Sequence, residues 1–149
     1  EVTVIDDRIA FANEMRFPHA HIICKPFVEA LKEVPYGPDC FFVIVTRGHV
    51  YDQVCLKEII EKEYAYLGMI GSRVRVRKVK EQFLADGVSQ ELLEQLHAPI
   101  GLKIGAETPE EIAVSIFAEI IAEKIKCFLS VVLKRNYYSL CCNVQSLLL

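Results

Sequence analysis

The chain has 149 residues, a hydrophobic fraction of 52%, a charged fraction of 25% and a formal net charge of −3. These values exclude a disordered chain, argue against general nucleic-acid binding, and fit one soluble globular domain with a substantial core. Six cysteines without a C-x-x-C pair, no signal peptide at the start and no apolar run long enough to cross a bilayer predict a cytoplasmic protein with reduced thiols and no membrane partner.

The first predicted element is a short buried strand over residues 2–5, all of which are β-branched. The strand leads into Asp6 and Asp7, and two roles for these carboxylates stay open. In dinucleotide-binding folds such a carboxylate accepts hydrogen bonds from ribose hydroxyls, whereas in many loops it caps the next turn. A short strand over residues 20–24 and a helix over residues 26–33 are predicted next.

A second strand signal covers residues 40–46, an apolar run rich in β-branched and aromatic side chains that follows a turn cluster at residues 35–39. The run ends in the polar turn Arg47-Gly48-His49. A helix capped by Asp52 and running to about residue 62 is predicted beyond this turn. His49 would either meet an anion or relay a proton, or else pack on the loop and bond to Asp52.

A third apolar run begins at residue 64 and ends at Gly71-Ser72, and the residues that follow are rich in Arg and Lys. This pattern predicts a strand, a tight turn and a helix. Gly71 can take backbone angles that other residues resist, Ser72 can cap the helix, and Arg73 adds a planar fork suited to phosphate. The first turn of such a helix also offers unpaired N–H groups to an anion. In a parallel sheet, the turns that carry Arg47 and Arg73 emerge at the same edge, where α/β proteins bind ligands.

The basic helix is predicted to close at residues 86–87, and a short helix then begins at Ser89 and ends before the break at residues 97–99. Residues 100–107 hold two glycines in an apolar loop, a composition suited to backbone that lies close against another group. No metal site is predicted, because His19 and His21 lack further ligands at a plausible spacing.

The sharpest local signal is Thr108-Pro109-Glu110-Glu111, which predicts the start of a helix that runs to about residue 126. Its polar residues form a thin stripe, so most of its circumference is predicted to be buried against the sheet. This stripe consists of Glu111, Ser115, Glu119 and Glu123. Residues 127–149 form a separate apolar tail that would extend the helix, add a strand or lie disordered, which divides the chain into 1–126 and 127–149.

Five linked motifs, in uninterrupted order from residue 2 to about residue 123, resemble the C-terminal Rossmann-like domain of the XdhC/CoxI family of xanthine dehydrogenase accessory proteins. The motifs are residues 4–8, residues 45–49 with Asp52, residues 68–73, residues 97–102 and residues 104–113. The resemblance implies an α/β fold with a Rossmann-like three-layer architecture and a mostly parallel sheet. The first strand and its glycine-rich turn are lacking, so an open seam is expected that a second chain or the tail would fill.

The resemblance further implies a molybdenum-cofactor chaperone, not a catalyst, which binds molybdopterin or its dinucleotide, or alternatively NAD(P) or another nucleotide. Its expected partners are a molybdenum hydroxylase such as xanthine dehydrogenase, a cysteine desulfurase and a second copy of itself. By this resemblance the phosphate would bind Gly71, Ser72 and Arg73. A sugar hydroxyl would meet Asp6 or Asp7, and the neighbouring edge would consist of Arg47, Gly48 and His49. The fifth motif adds Gly105 and Glu107 to the candidate cofactor-binding residues.

Two other classes of function compete with this interpretation. A nicotinamide- or flavin-dependent oxidoreductase domain would suit a Rossmann-like sheet, but the sequence shows neither a glycine fingerprint nor an acid–base pair poised over a substrate. A non-catalytic interaction module would use the same turns only for folding and would present the basic helix to an acidic partner surface. Bound flavin or pterin absorbance would separate these classes from one another.

Overall fold

The computed structural model describes the backbone of residues 1–135 and the side chains of residues 1–126. The chain divides into two compact units, Glu1–Ile100 and Gly101–Leu149. The first unit contains four strands and four helices, and the long helix belongs to the second unit. Their bounds in chain order are β1 Thr3–Ile5, β2 His21–Ile23, α1 Phe27–Ala30, β3 Gly37–Ile44, α2 His49–Ile59, β4 Tyr64–Met69, α3 Arg73–Ala85, α4 Gln90–Gln95 and α5 Pro109–Arg135.

All strand pairing in the described residues is parallel, which confirms the predicted α/β fold. β1 pairs with β2, and β3 pairs with β4, in two separate two-stranded sheets. A further parallel bridge joins Gly68 of β4 to His97. Each described strand therefore has a single neighbouring strand, and the predicted open seam stays a prediction.

The core of the first unit lies between β3, β4 and the helices that follow them. Each of these helices turns an apolar stripe inward, with residues three or four apart along the sequence. In α3 the stripe is Val76, Val79 and Phe83, all at most 5% exposed. The central buried residues of the strands and of α2 are Ile44, Leu56, Ile59, Leu67 and Met69.

Three predicted helix starts are confirmed in atomic detail. The hydroxyl of Ser72 accepts from the N–H of Arg75, and that of Ser89 accepts from Leu92, each at 3.3 Å. At the start of α5 the Thr108 hydroxyl accepts from the Glu111 N–H, while the Glu111 carboxylate accepts from the Thr108 N–H in return. These contacts form between residues three apart, so the local sequence specifies them.

Several element boundaries differ from the predicted ones. The strand expected at residues 40–46 begins earlier, because the N–H of Gly37 already bonds to the Glu63 carbonyl and pairing resumes after an irregularity. α1 is shorter than predicted, since residues 31–33 continue as tight turns. α2 begins at His49 after Gly48, so the prediction that Asp52 caps it is wrong. Among the described residues, no helix combines the length and apolar composition that a bilayer crossing requires.

The expectation that α5 buries most of its circumference is wrong. Four of its apolar side chains are more than half exposed, and they are Val114, Phe117, Ile121 and Ile125. Two residues of the predicted polar stripe, Ser115 and Glu119, face the loop of their own unit instead, while Glu111 is exposed. Ser115 is buried and donates to the Leu102 carbonyl at 2.6 Å, and the Glu119 carboxylate accepts from the Gly101 N–H at 2.9 Å. α5 also continues to Arg135, nine residues past the predicted end at residue 126; the rest of the tail, 136–149, lies outside the described residues.

Candidate functional site

The loops after β3 and β4 emerge at one edge of the sheet. The two strands are parallel and in register up to Ile44 and Met69, and the N–H of Ile70 bonds to the Ile44 carbonyl at 3.0 Å. The chain therefore leaves both strands in the same direction, toward Arg47 on one side and Ser72 on the other. This confirms the predicted common edge, which is where open α/β sheets bind ligands.

The loop after β1 reaches the same edge through an ion pair. The guanidinium of Arg47 bonds to both carboxylate oxygens of Asp7, at 2.5 and 2.9 Å, and lies 4.2 Å from the centre of the Tyr51 ring. Hydrogen bonding to Arg47 lowers the pKa of Asp7, so the carboxylate stays ionised. The Arg47 guanidinium was expected to face a bound anion. In the structure it already pairs with the carboxylate of Asp7.

Asp6 is also ion-paired, with a residue of its own loop. Its two carboxylate oxygens accept from Nε and Nη2 of Arg8, both at 2.9 Å, and Oδ1 also accepts from the Arg8 backbone N–H. This hydrogen bonding lowers the pKa of Asp6. Arg8 in turn stacks on Phe11, with 3.8 Å between guanidinium carbon and ring centre. Of the two roles left open by the sequence, Asp6 makes the local turn contact in the structure.

The turn at Gly48 is fixed by Asp52, a buried carboxylate only 2% exposed. Its Oδ1 lies 2.6 Å from the Thr46 hydroxyl and 3.3 Å from the Thr46 N–H. Asp52 therefore ties the end of β3 to the first turn of α2. His49 is exposed at the start of α2 and does not bond to Asp52, whose Oδ1 accepts from Thr46. Its contact with an anion stays a prediction.

The Gly71-Ser72-Arg73 turn has the strongest features of an anion site. Ser72 caps α3, and the N–H groups of Arg73 and Val74 have no acceptor within the described part of the chain. The Arg73 side chain is exposed and makes no ion pair with a described residue. Helix dipole, free N–H groups and guanidinium all favour a negative charge here.

The reason given for glycine at position 71 is wrong. Gly71 does not have a positive φ, and a Cβ built on it would meet Arg75 and Val76 at an ordinary contact distance of 3.5 Å. Gly105, in the second unit, does need its glycine, because its φ is +76°. Glu107 lies beside it at the start of α5, where its N–H bonds to the Glu111 carboxylate at 2.8 Å.

Sequence reasoning missed the part of the edge that depends on close packing. A Cβ on Gly68 would lie 2.7 Å from the Tyr66 hydroxyl and would contact Ile100 still more closely. The Tyr66 ring packs against the His97 ring in a tilted arrangement, with 4.6 Å between centres. Gly68 therefore lets β4 pass against the segment that returns at residues 97–100. In the sequence, the only sign of this close contact between β4 and residues 97–100 is that Gly68 lies inside an apolar run.

Parallel strands joined through helices, with their strand-end loops gathered at one edge, define a Rossmann-like α/β domain. The sequence profile of the XdhC Rossmann domain family matches residues 1–120. The chain belongs to this family.

Proteins similar to the chain include two curated proteins and a solved structure. The uncharacterized protein YqeB of Escherichia coli is 36% identical over 126 residues, which cover 83% of this chain and 23% of that protein. A probable xanthine dehydrogenase subunit of Bacillus subtilis is 34% identical, over 80% of this chain and 34% of that protein. A crystal structure of a xanthine dehydrogenase from Bacillus halodurans has a TM-score of 0.71 and 34% identity, and the match covers 83% of this chain and 35% of that one. The chain thus spans about a third or less of these relatives.

Proposed function

We propose that this chain is the cofactor-binding domain of an accessory protein that serves xanthine dehydrogenase or a related molybdenum hydroxylase. Membership of the XdhC Rossmann domain family and the names of two similar proteins support this role. The chain matches only part of those proteins. The substrate, partners and activity of a complete accessory protein are therefore proposed here as well.

The observation that carries the proposal is the free N-terminus of α3. A phosphate monoester at this point would accept from the N–H groups of Arg73 and Val74 and pair with the Arg73 guanidinium. Molybdopterin carries such a phosphate at one end, and its dinucleotide carries two. The residues present therefore fit the phosphate end of the molybdenum cofactor.

The acidic and basic residues of the neighbouring loops have a supporting role in this proposal. Asp7 and Arg47 hold the loops after β1 and β3 together, which keeps the edge rigid. A ribose hydroxyl of a dinucleotide cofactor would have to share Asp7 with Arg47, and NAD(P) would meet the same restriction. The Gly48 turn and His49 would form the wall beside the pterin.

In this role the chain binds and protects a cofactor and does not catalyse a reaction. The cofactor, when bound, supplies the redox centre that the hydroxylase uses; the residues of this chain hold its phosphate. We propose a cysteine desulfurase as the enzyme that sulfurates the bound cofactor, and a cytoplasmic homodimer as the working form. Gly105 and Glu107 lie before α5 in the second compact unit, and their cofactor-binding role stays a prediction.

Quenching of pterin fluorescence tests the proposal directly. A phosphorylated pyranopterin and its dephosphorylated form are titrated into the wild type, Arg73→Ala and Lys78→Ala. Lys78 is an exposed cation of the same helix, more than one turn from the site, so it controls for the loss of one charge. We expect Arg73→Ala to weaken only the phosphorylated ligand, by at least tenfold, which is about 1.4 kcal/mol.

Equal affinity of the two pterins would contradict phosphate recognition at this site. Parallel titrations with NAD⁺ and flavin mononucleotide distinguish the competing class. Binding of either nucleotide at the expense of the pterin, with reduction of the bound cofactor by a substrate, would indicate an oxidoreductase domain.

A further inference from the structure

An open groove runs along α3 on the side that faces α4 and the segment at residues 98–99. Its volume is about 380 Å³. The floor is apolar, since it includes Val76 and Leu93, which are 5% and 1% exposed. Leu84 adds a side chain at the end of the groove that is 43% exposed. The groove thus offers apolar contacts to whatever lies in it.

The rim of this groove is basic although the chain as a whole is acidic. Arg73, Arg77 and Lys80 line it together with a single carboxylate, Glu81. Glu81 lies 3.8 Å from Arg77, but both side chains are more than 60% exposed, and such surface pairs contribute little. Lys80 is held in place, because its Nζ donates to the Leu93 carbonyl at 2.7 Å. Positive charge therefore remains along the groove in a protein whose formal net charge is −3.

The shape of the groove favours an extended polymer over a compact ligand. From Arg73 to Leu84 the helix rises by about 16 Å, at about 1.5 Å per residue. The residues that line the groove extend over this length, so an extended segment can contact them together. The groove residues include no aromatic ring on which a base could stack, so a single-stranded nucleic acid would lack its usual platform.

We propose that this groove docks a short acidic segment of a partner protein, anchored by an apolar side chain. The carboxylates of the segment pair with Arg77 and Lys80, and the anchor packs on Val76 and Leu84. Because the surface is small, the contact is weak and transient. This docking uses Arg77, Lys80 and Leu84 on the flank of α3 and not the free N–H groups of the proposed cofactor site, although Arg73 borders both.

The test begins with an unbiased probe, a phage-displayed library of random 12-residue peptides selected on the wild-type chain. Enriched peptides are synthesised with a fluorescent label and titrated by anisotropy against the wild type, Arg77→Glu and Lys78→Glu. Arg77 and Lys78 are adjacent exposed cations of α3, but only Arg77 lines the groove. The two substitutions therefore change the net charge equally, and only Arg77→Glu removes a positive charge from the groove.

We expect the enriched peptides to carry at least two acidic residues next to a Leu, Ile or Phe. Arg77→Glu should weaken their binding by at least tenfold, and Lys78→Glu by less than threefold. The inference is overturned if no peptide is enriched, if neutral or basic peptides dominate, or if both variants lose binding equally. It is also overturned if a single-stranded oligonucleotide displaces the peptides at lower concentration than an unlabelled acidic peptide does.

Discussion

Replacing Gly68 by alanine should destabilise the first compact unit strongly. The added Cβ would lie 2.7 Å from both Ile100 Cγ1 and the Tyr66 hydroxyl, and closer still to Ile100 Cδ1. Neither neighbour can yield easily, because Tyr66 is 1% exposed and packed against the His97 ring, and Ile100 is 9% exposed. The backbone is held as well, since Gly68 pairs with Val43.

The magnitude follows from these contacts. Overpacking a core typically costs about 1–3 kcal/mol, and two constrained neighbours put Gly68→Ala at the upper end, about 3 kcal/mol. In a unit of this size that lowers the melting temperature by about 15 °C. Gly71→Ala is the matched control, because its Cβ finds ordinary contacts at 3.5 Å, and we expect its stability to change by less than about 0.5 kcal/mol.

Urea denaturation followed by circular dichroism gives the free energies of unfolding, and a second substitution tests the cause. Ile100→Val removes the methyl group that the new Cβ contacts most closely, and alone it should cost about 1 kcal/mol. In the Gly68→Ala background it should relieve the clash, so the double variant should be at least about 1 kcal/mol more stable than the sum predicts. Additive losses, or a Gly68→Ala variant as stable as Gly71→Ala, would refute the packing argument.

Two further predictions concern buried groups beside the sheet edge. Asp52→Ala should lower the free energy of unfolding by about 1–3 kcal/mol, because the Thr46 N–H and hydroxyl lose their acceptor. The control Asp39→Ala, at an exposed position, should change the free energy of unfolding by less than about 0.5 kcal/mol. Equal effects of the two substitutions in urea denaturation would contradict this role of Asp52. Burial raises the pKa of the Cys55 thiol to about 12, so at pH 8 iodoacetamide should modify Cys24 and leave Cys55 intact until urea unfolds the protein. Mass spectrometry of the peptides would disprove this if Cys55 reacted as fast as Cys24 in the native chain.

The features that the sequence predicted are those that depend on neighbouring residues. The caps at Ser72, Ser89 and Thr108 bond to N–H groups three residues away, so the local pattern contains all the required information. The parallel strands and their common edge follow from apolar runs separated by helical patterns.

Long-range contacts could not be predicted in the same way. The Asp7–Arg47 pair joins residues 40 positions apart, and no local pattern selects this pairing over a ligand. In α5, periodicity separated an apolar from a polar face but could not show which face the rest of its unit covers. Ser115 and Glu119 turn inward because the backbone of the loop at residues 101–102 needs hydrogen-bond partners.

Replacing Ser72 by aspartate tests the central claim, that the N-terminus of α3 binds a phosphate. Aspartate caps a helix about as well as serine, so stability should hold, while its negative charge repels a phosphate at the same N–H groups. Ser89→Asp is the control, because Ser89 caps α4 with the same 3.3 Å geometry. We expect Ser72→Asp to weaken the phosphorylated pterin by at least tenfold and Ser89→Asp to leave its affinity unchanged. Unchanged affinity in Ser72→Asp, with the fold intact, would contradict the account.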